Sequence, residues 1–449
     1  MQKNSSISLT EGKLFPTLIK FALPIFFALL LQALYGGVDM LIIGRFATTN
    51  DVSGVATGAI VLQTITNFIV GLSMGVTVLV GQYIGQKRKE EAGKAVGTGI
   101  IIFALLSILL TLILTFGAST ITTLMKAPLE AYAQTNAYIR ICGIGSVFIV
   151  AYNLIGSIFR GMGDAKTPLI TVAIACVVNI VGDLILIAGF KMGAAGAAIA
   201  TVGAQGVSVI LSLLLIQRKE LPFSFQRKDI RIDKELIISE LKIGAPLALQ
   251  NFLLGISFVV IQMIVNTINM IASAGVGVAE KICMFIMLIP IAFMQTISSF
   301  TAQNLGAKQV DRAKRALRYG ILSSLFLGSI MAFFAFFYGD LLSAVFTKDL
   351  AVIGASHNYL KAYAIDTLLV SFIFCYIGYF NGAGKTFFVL LQGLVGSIII
   401  RIPAAYLISR IPGATLFHIG LANPISTAVQ IVLCIIMYLK INHTYERSL

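Results

Sequence analysis

Residues 95–125 read AVGTGIIIFALLSILLTLILTFGASTITTLM, with no charged side chain between Lys94 and Lys126. That run exceeds the roughly 20 residues a helix needs to cross a bilayer. In lipid its backbone N–H and C=O groups find partners only within a helix. Charge-free stretches of the same kind recur over 192–217, 243–279, 282–307 and 411–439. Across 449 residues 58% are hydrophobic and 12% charged, with mean hydropathy +0.94. A soluble domain of this length cannot hide so much apolar surface, and the charged fraction is about half the usual one. The sequence therefore predicts an all-α polytopic membrane protein of about twelve transmembrane helices. They are expected near 16–44, 52–85, 95–117, 132–159, 167–189, 193–217, 237–268, 275–304, 316–338, 352–380, 386–409 and 415–439. Lys13 and Lys20 before the first apolar run imitate a signal peptide, but no small-residue cleavage site follows, so that run is read as the first span.

Net charge is +14, and the basic residues gather in alternate loops. Lys87, Arg88, Lys89, Lys94, Arg160, Lys166, Arg218, Lys219, Arg227, Lys228, Arg231, Lys234, Lys308, Arg312, Lys314, Arg315, Arg318 and Lys385 lie on one side, against Arg45, Lys126, Lys191, Lys348 and Arg410 on the other. The positive-inside rule places the first set, and both termini, in the cytoplasm of a bacterial or archaeal cell. No basic stripe with interleaved aromatics could grip nucleic acid. Cys142, Cys176, Cys283, Cys375 and Cys434 fall in apolar segments without CxxC spacing, which argues against a disulfide framework or metal site.

The chain repeats itself weakly. Phe21-Ala22-Leu23-Pro24 returns as Ile243-Gly244-Ala245-Pro246, and Gly81-Gln82-Tyr83-Ile84-Gly85-Gln86-Lys87 as Ala302-Gln303-Asn304-Leu305-Gly306-Ala307-Lys308. Phe159-Arg160-Gly161-Met162-Gly163 returns as Phe380-Asn381-Gly382-Ala383-Gly384. Six helices per repeat is an even number, so the copies share topology and relate by a pseudo-two-fold axis along the membrane normal. The expected division is a six-helix lobe over 1–216, a cytoplasmic linker over 217–235 and a second lobe over 236–449. Paired lobes of this kind suit alternating access, which fits neither a simple channel nor an enzyme.

Gly384-Lys385-Thr386 imitates a phosphate loop, but Tyr379 stands where its first glycine belongs. No HExxH, GxSxG or paired acidic motif supports a membrane-embedded enzyme. With no nucleotide site, no cofactor is expected and the driving force must be an ion gradient. Carboxylates inside spans are costly and mark function. Asp39 lies late in the first helix, and Asn179 and Asp183 share a face of the fifth. Thr201 lies in the sixth, and by the predicted orientation all four fall in the outer half. Their oxygens suit a hard cation such as Na+; alternatively, two close carboxylates share a proton. Loading either would neutralise charge and could bend the first helix near Gly36-Gly37. The bland alternative has Asp39 cap or border the interface near Arg45 and pairs Asp183 with Lys191. In the second half, Glu280, Lys281 and Asp366 are secondary candidates, with Lys281 expected to pair with Asp366. Arg401 is expected to snorkel. Met284, Phe285 and Met287 are ordinary span residues that would also suit an adaptable surface.

Taken together, Pro24 through Asp39 with Gly44-Arg45, the Gly81-Gln82 and Gln303-Asn304-Leu305-Gly306 loop starts, and Arg160-Gly161-Met162-Gly163-Asp164-Ala165-Lys166-Thr167-Pro168 resemble the multidrug and toxic compound extrusion (MATE) family. The resemblance implies two six-helix lobes and export of drug-like, cationic organic compounds in exchange for H+ or Na+. It implies small-molecule substrates, a lipid surround and a monomer. Asp39, Asn179, Asp183 and Thr201 look like the first-lobe cation site of its archaeal, DinF-like branch. The seventh span has no acid beyond Glu235 and Glu240 at its entrance, where another branch carries one inside the helix. The alternative is a lipid-linked oligosaccharide flippase of the same superfamily, although that would require several arginines in the cleft.

Overall fold

The computed structural model describes residues 8–448. Among these, eleven helices are long and apolar enough to cross a membrane, and a bent pair makes a twelfth. In chain order they are α1 Leu14–Phe46, α2 Thr49–Gly85, α3 Lys89–Phe116, α4 Leu129–Ile144 with Ser146–Gly161, α5 Lys166–Gly189 and α6 Gly193–Gln217. The second set is α7 Lys234–Asn266, α8 Met270–Gly306, α9 Val310–Phe337, α10 Leu350–Gly382, α11 Thr386–Ser409 and α12 Leu416–Ile441. Lipid-facing stripes are plain: on α3, Leu105, Ile108, Leu112 and Phe116 are 50–79% exposed. Apolar patches of that extent have no place in water.

Local chemistry sets the helix starts. Thr48 and Asp51 form a capping box on α2, Asn269 accepts from the Ala272 N–H at 2.7 Å ahead of α8, and Asp349 caps α10. Each cap satisfies amides that the first turn leaves free. The expected straight span over 132–159 is instead broken by 55° between Ile144 and Ser146. Gly145 lies at that break, pressed on the Val202 side chain.

The repeat seen in the sequence is also geometric. Lys87 and Lys308 both take positive φ, as do Gly163 and Gly384. The Asp164 N–H donates to Phe159 O at 2.9 Å and the Lys385 N–H to Phe380 O at 2.8 Å. Equivalent helix ends thus close in the same left-handed turn. The chain divides into two units, Leu23–Ala248 and Leu9–Ala22 with Leu249–Leu449. The polar stretch 217–235 packs on α3 within the first unit: the Ser224 N–H donates to Lys89 O, and Gly97 abuts Asp229 O.

Asp164 fastens the foot of α5. Its carboxylate accepts from the Lys166 and Thr167 amides at 3.0 Å and pairs with Lys219 at 2.7 Å, while its own side chain is 1% exposed. Asp164→Ala should lower stability by about 1–3 kcal/mol, because it orphans both amides and a half-covered ammonium. Lys219→Met should cost less, since it leaves the cap in place. Thermal unfolding of the detergent-solubilised variants measures the difference, and equal midpoints would refute the ranking.

Candidate functional site

The four residues expected to hold a cation come together within the first unit. Asn179 and Asp183 occupy the last turns of the α-helical part of α5, after which Leu184–Gly189 winds as a π-helix. Such widened turns are rare and frequently sit at functional sites. The level of the site is marked by a tie between helix ends: the Ala194 N–H at the start of α6 donates to Asp51 Oδ1 at 2.9 Å, at the start of α2. Asp39, Asp183 and Thr201 each lie within roughly two turns of that end of their helices, about 9–12 Å at 1.5 Å per residue.

All four are buried: Asp39 is 7%, Asn179 1%, Asp183 0% and Thr201 8% exposed. The Asp39 and Asp183 carboxyls lie within mutual electrostatic reach. Among the described residues, no hydrogen-bond partner serves either Asp183 oxygen, Asp39 Oδ1, the two Asn179 amide atoms or Thr201 Oγ1. Asp39 and Asp183 form no ion pair with Arg45 or Lys191 among the described residues. Each unpaired buried polar group costs about 1–3 kcal/mol, and a charged one costs more. A set of six such atoms in one place fits a loaded cation or proton rather than a resting structural network. Chemically it offers two carboxylates, an amide carbonyl and a hydroxyl, an all-oxygen set suited to a small hard cation. Among the described residues no group of three or more His, Cys, Asp or Glu is placed to hold a metal ion.

A cavity of about 20 Å³ adjoins these groups, lined by Tyr35, Tyr152, Val172, Asn179, Thr201 and Gln205. That is room for one water or one desolvated ion. Asp39 acts electrostatically on Tyr35, Tyr138 and Cys142, the Tyr138 hydroxyl stands beside Thr201, and Gln32 donates to the Tyr152 hydroxyl. Sequence reasoning missed this ring of tyrosines and amides. The available signal was spacing: Tyr35 precedes Asp39 by four residues and Gln205 follows Thr201 by four, so each shares a helix face with a chosen residue.

The secondary candidates lie in the second unit and are arranged otherwise than expected. Lys281 is exposed and makes no ion pair with Asp366 among the described residues. Asp366, 2% exposed, instead lies within electrostatic reach of Arg401. Arg401 does not snorkel: it is 7% exposed, with its guanidinium 5.3 Å from the Phe258 ring centre. Glu280 is half-buried, with Oε1 unpartnered.

Comparison with known proteins bears on the family and the fold. The MatE family model matches residues 24–185 and again 246–407, one match in each repeat. The chain is 24% identical over 420 residues to the probable multidrug resistance protein YoeA of Bacillus subtilis, covering 92% of this chain and 91% of that one. It is 23% identical over 413 residues to the multidrug export protein MepA of Staphylococcus saprophyticus, covering 90% and 89%. Among solved structures, the outward-facing conformation of a multidrug resistance MATE family transporter superposes with a TM-score of 0.93 at 19% identity, over 100% of both chains. At that identity the likeness is one of fold.

Proposed function

Because the chain belongs to the MatE family, we propose that it is a secondary antiporter that exports drug-like organic cations in exchange for H+ or Na+ by alternating access. Members of this family are transporters rather than enzymes. The observation that carries the proposal is the facing pair Asp39 and Asp183, buried together with no ion pair to either among the described residues. Such a pair has to be neutralised from outside the chain, and the protein then differs in charge between loaded and unloaded states. A coupling ion can shift a conformational equilibrium only through a difference in affinity for its two states. Two carboxylates on separate helices supply that difference whenever α1 moves relative to α5. The excess of Lys and Arg in alternate loops supports a site in the outer half of the membrane, with both termini and the 217–235 segment on the cytoplasmic side.

Everted vesicles carrying the protein test this reading. Uptake of ethidium should start on imposing a proton gradient or a sodium gradient, and the effective gradient names the ion. Folded protein that moves no organic cation under either gradient would overturn the proposal and favour the lipid flippase.

Movement of α1 has its own signature. Gly36 and Gly37 are exposed, and a Cβ added at either would meet nothing within 4 Å. Packing therefore does not require glycine there, and α1 runs unbroken through both. Gly36→Ala with Gly37→Ala should stabilise the helix by about 0.5–1 kcal/mol per site while slowing coupled transport several-fold. A double variant as fast as wild type would show that the pair has no part in the motion.

A further inference from the structure

The second unit presents the same pair of helices to one another, with the charges recast. In the repeat, α7 corresponds to α1 and α11 to α5. Where α1 and α5 meet through Asp39 and Asp183, α7 and α11 meet through Phe258 and Arg401, the guanidinium lying over the ring. The supporting contact repeats as well: Tyr138 stands beside Thr201 in the first unit, and Asn423 donates to the Tyr359 hydroxyl at 3.2 Å in the second. The acids of the second unit come from other helices, Glu280 from α8 and Asp366 from α10. Asp366 has Thr427 beside it and Arg401 within electrostatic reach. Tyr359 and Tyr363 of α10 lie within reach of Arg401, and Cys283 of α8 within reach of both acids.

Arg401 is 93% buried by its 7% exposure, and its Nε and Nη1 have no hydrogen-bond partner among the described residues, nor does Asp366 Oδ1. A guanidinium stays charged in any protein environment. Burying it is tolerable only against opposite charge, partly helped by the face of an aromatic ring. Among the described residues, the first unit thus sets two carboxylates together with no ion pair, and the second sets the Asp366 carboxylate beside a cation tethered to the chain.

We propose that Arg401 is a built-in substitute for the coupling cation, so that the second unit holds a latent cation site, closed to H+ or Na+ by its own guanidinium. This rests on the first-unit site being the one that loads the ion. It follows that coupling is confined to one unit, and that removing the guanidinium while keeping Asp366 and Glu280 opens a second site.

The test uses full-length protein in detergent, reading the thermal unfolding midpoint against added NaCl, with choline chloride matching ionic strength, and against pH. Asp39→Asn with Asp183→Asn should abolish the cation response. Adding Arg401→Gln to that background should restore a rise of at least about 2 °C with Na+ or with acid. Adding Arg401→Lys should not, because a tethered charge remains. Folded protein with Arg401→Gln and no regained response overturns the proposal. Should Arg401→Gln fail to fold, adding Asp366→Asn removes the uncompensated carboxylate. Recovery of folding then supports the tethered-cation role, and continued misfolding overturns it in favour of plain packing. If the Asp39→Asn, Asp183→Asn protein still responds to cation while Arg401 is intact, the first-unit reading fails instead, so the two failures are separable.

Discussion

Asp183→Asn, and separately Asp39→Asn, should reduce gradient-driven ethidium transport to the uncoupled background while leaving folded protein in normal amount. Asparagine keeps the shape of the side chain and removes its charge. Deleting one of two carboxylates that hold a buried cation costs about 2–5 kcal/mol in affinity, roughly 30- to 5,000-fold. The sign of the stability change separates this role from a structural one. Both acids are buried side by side with no ion pair among the described residues, so the cation-free protein carries their desolvation and repulsion as a burden. Neutralising one should leave the unfolding midpoint in cation-free buffer unchanged or raise it, and should erase the stabilisation added by Na+ or acid. A structural carboxylate behaves in the opposite way, since its loss strands whatever it was bonded to. Variants that lose stability and transport together would assign the pair a structural role. Transport that survives both substitutions would place coupling elsewhere in the chain.

What the sequence made legible depends on which interactions are local. The spans were readable because bilayer thickness imposes a length on apolar runs, and the motif at Arg160–Lys166 was readable because its turn is closed by neighbouring residues. Asp39, Asn179, Asp183 and Thr201 stood out because a carboxylate or lone amide is conspicuous in apolar sequence, and orientation alone put them at one level. Tyr35, Tyr138 and Tyr152 did not stand out, because a tyrosine in a span looks like any other large side chain until its hydroxyl is located. Arg401 was misjudged for a related reason. Its place in α11 allowed either an escape to the interface or an inward turn, and the choice rests on Phe258 and Asp366, distant in sequence. The break at Gly145 was hidden likewise, since glycine inside an apolar helix is compatible with a straight span until Val202 is seen against it.

Gly75→Val should prevent the first unit from assembling. Lipid tails are as apolar as leucine, so helices in a membrane gain little from burying apolar area and associate through close packing of small residues. The stretch Gly71-Leu72-Ser73-Met74-Gly75 places two glycines one turn apart on α2, and Gly244 and Ala248 place a glycine and an alanine one turn apart on α7. The two faces interlock. A Cβ on Gly71 would stand 2.6 Å from Ala248 Cα, one on Gly75 would strike Glu240 O, and one on Gly244 would strike Leu72 O. Overpacking ordinarily costs about 1–3 kcal/mol, because side chains shift to relieve it. Here the obstructing atoms are backbone in continuous helices, and relief requires the helices to part, which exposes the buried Glu240 carboxylate as well. Alanine at Gly36, where no atom lies within 4 Å, serves as the control for glycine replacement in itself. Size-exclusion profiles of fluorescent fusions measure the outcome: Gly75→Val should run as aggregate and Gly36→Ala as wild type. A monodisperse Gly75→Val protein with an unchanged unfolding midpoint would show that α2 and α7 tolerate separation, and that their glycines are not what joins them.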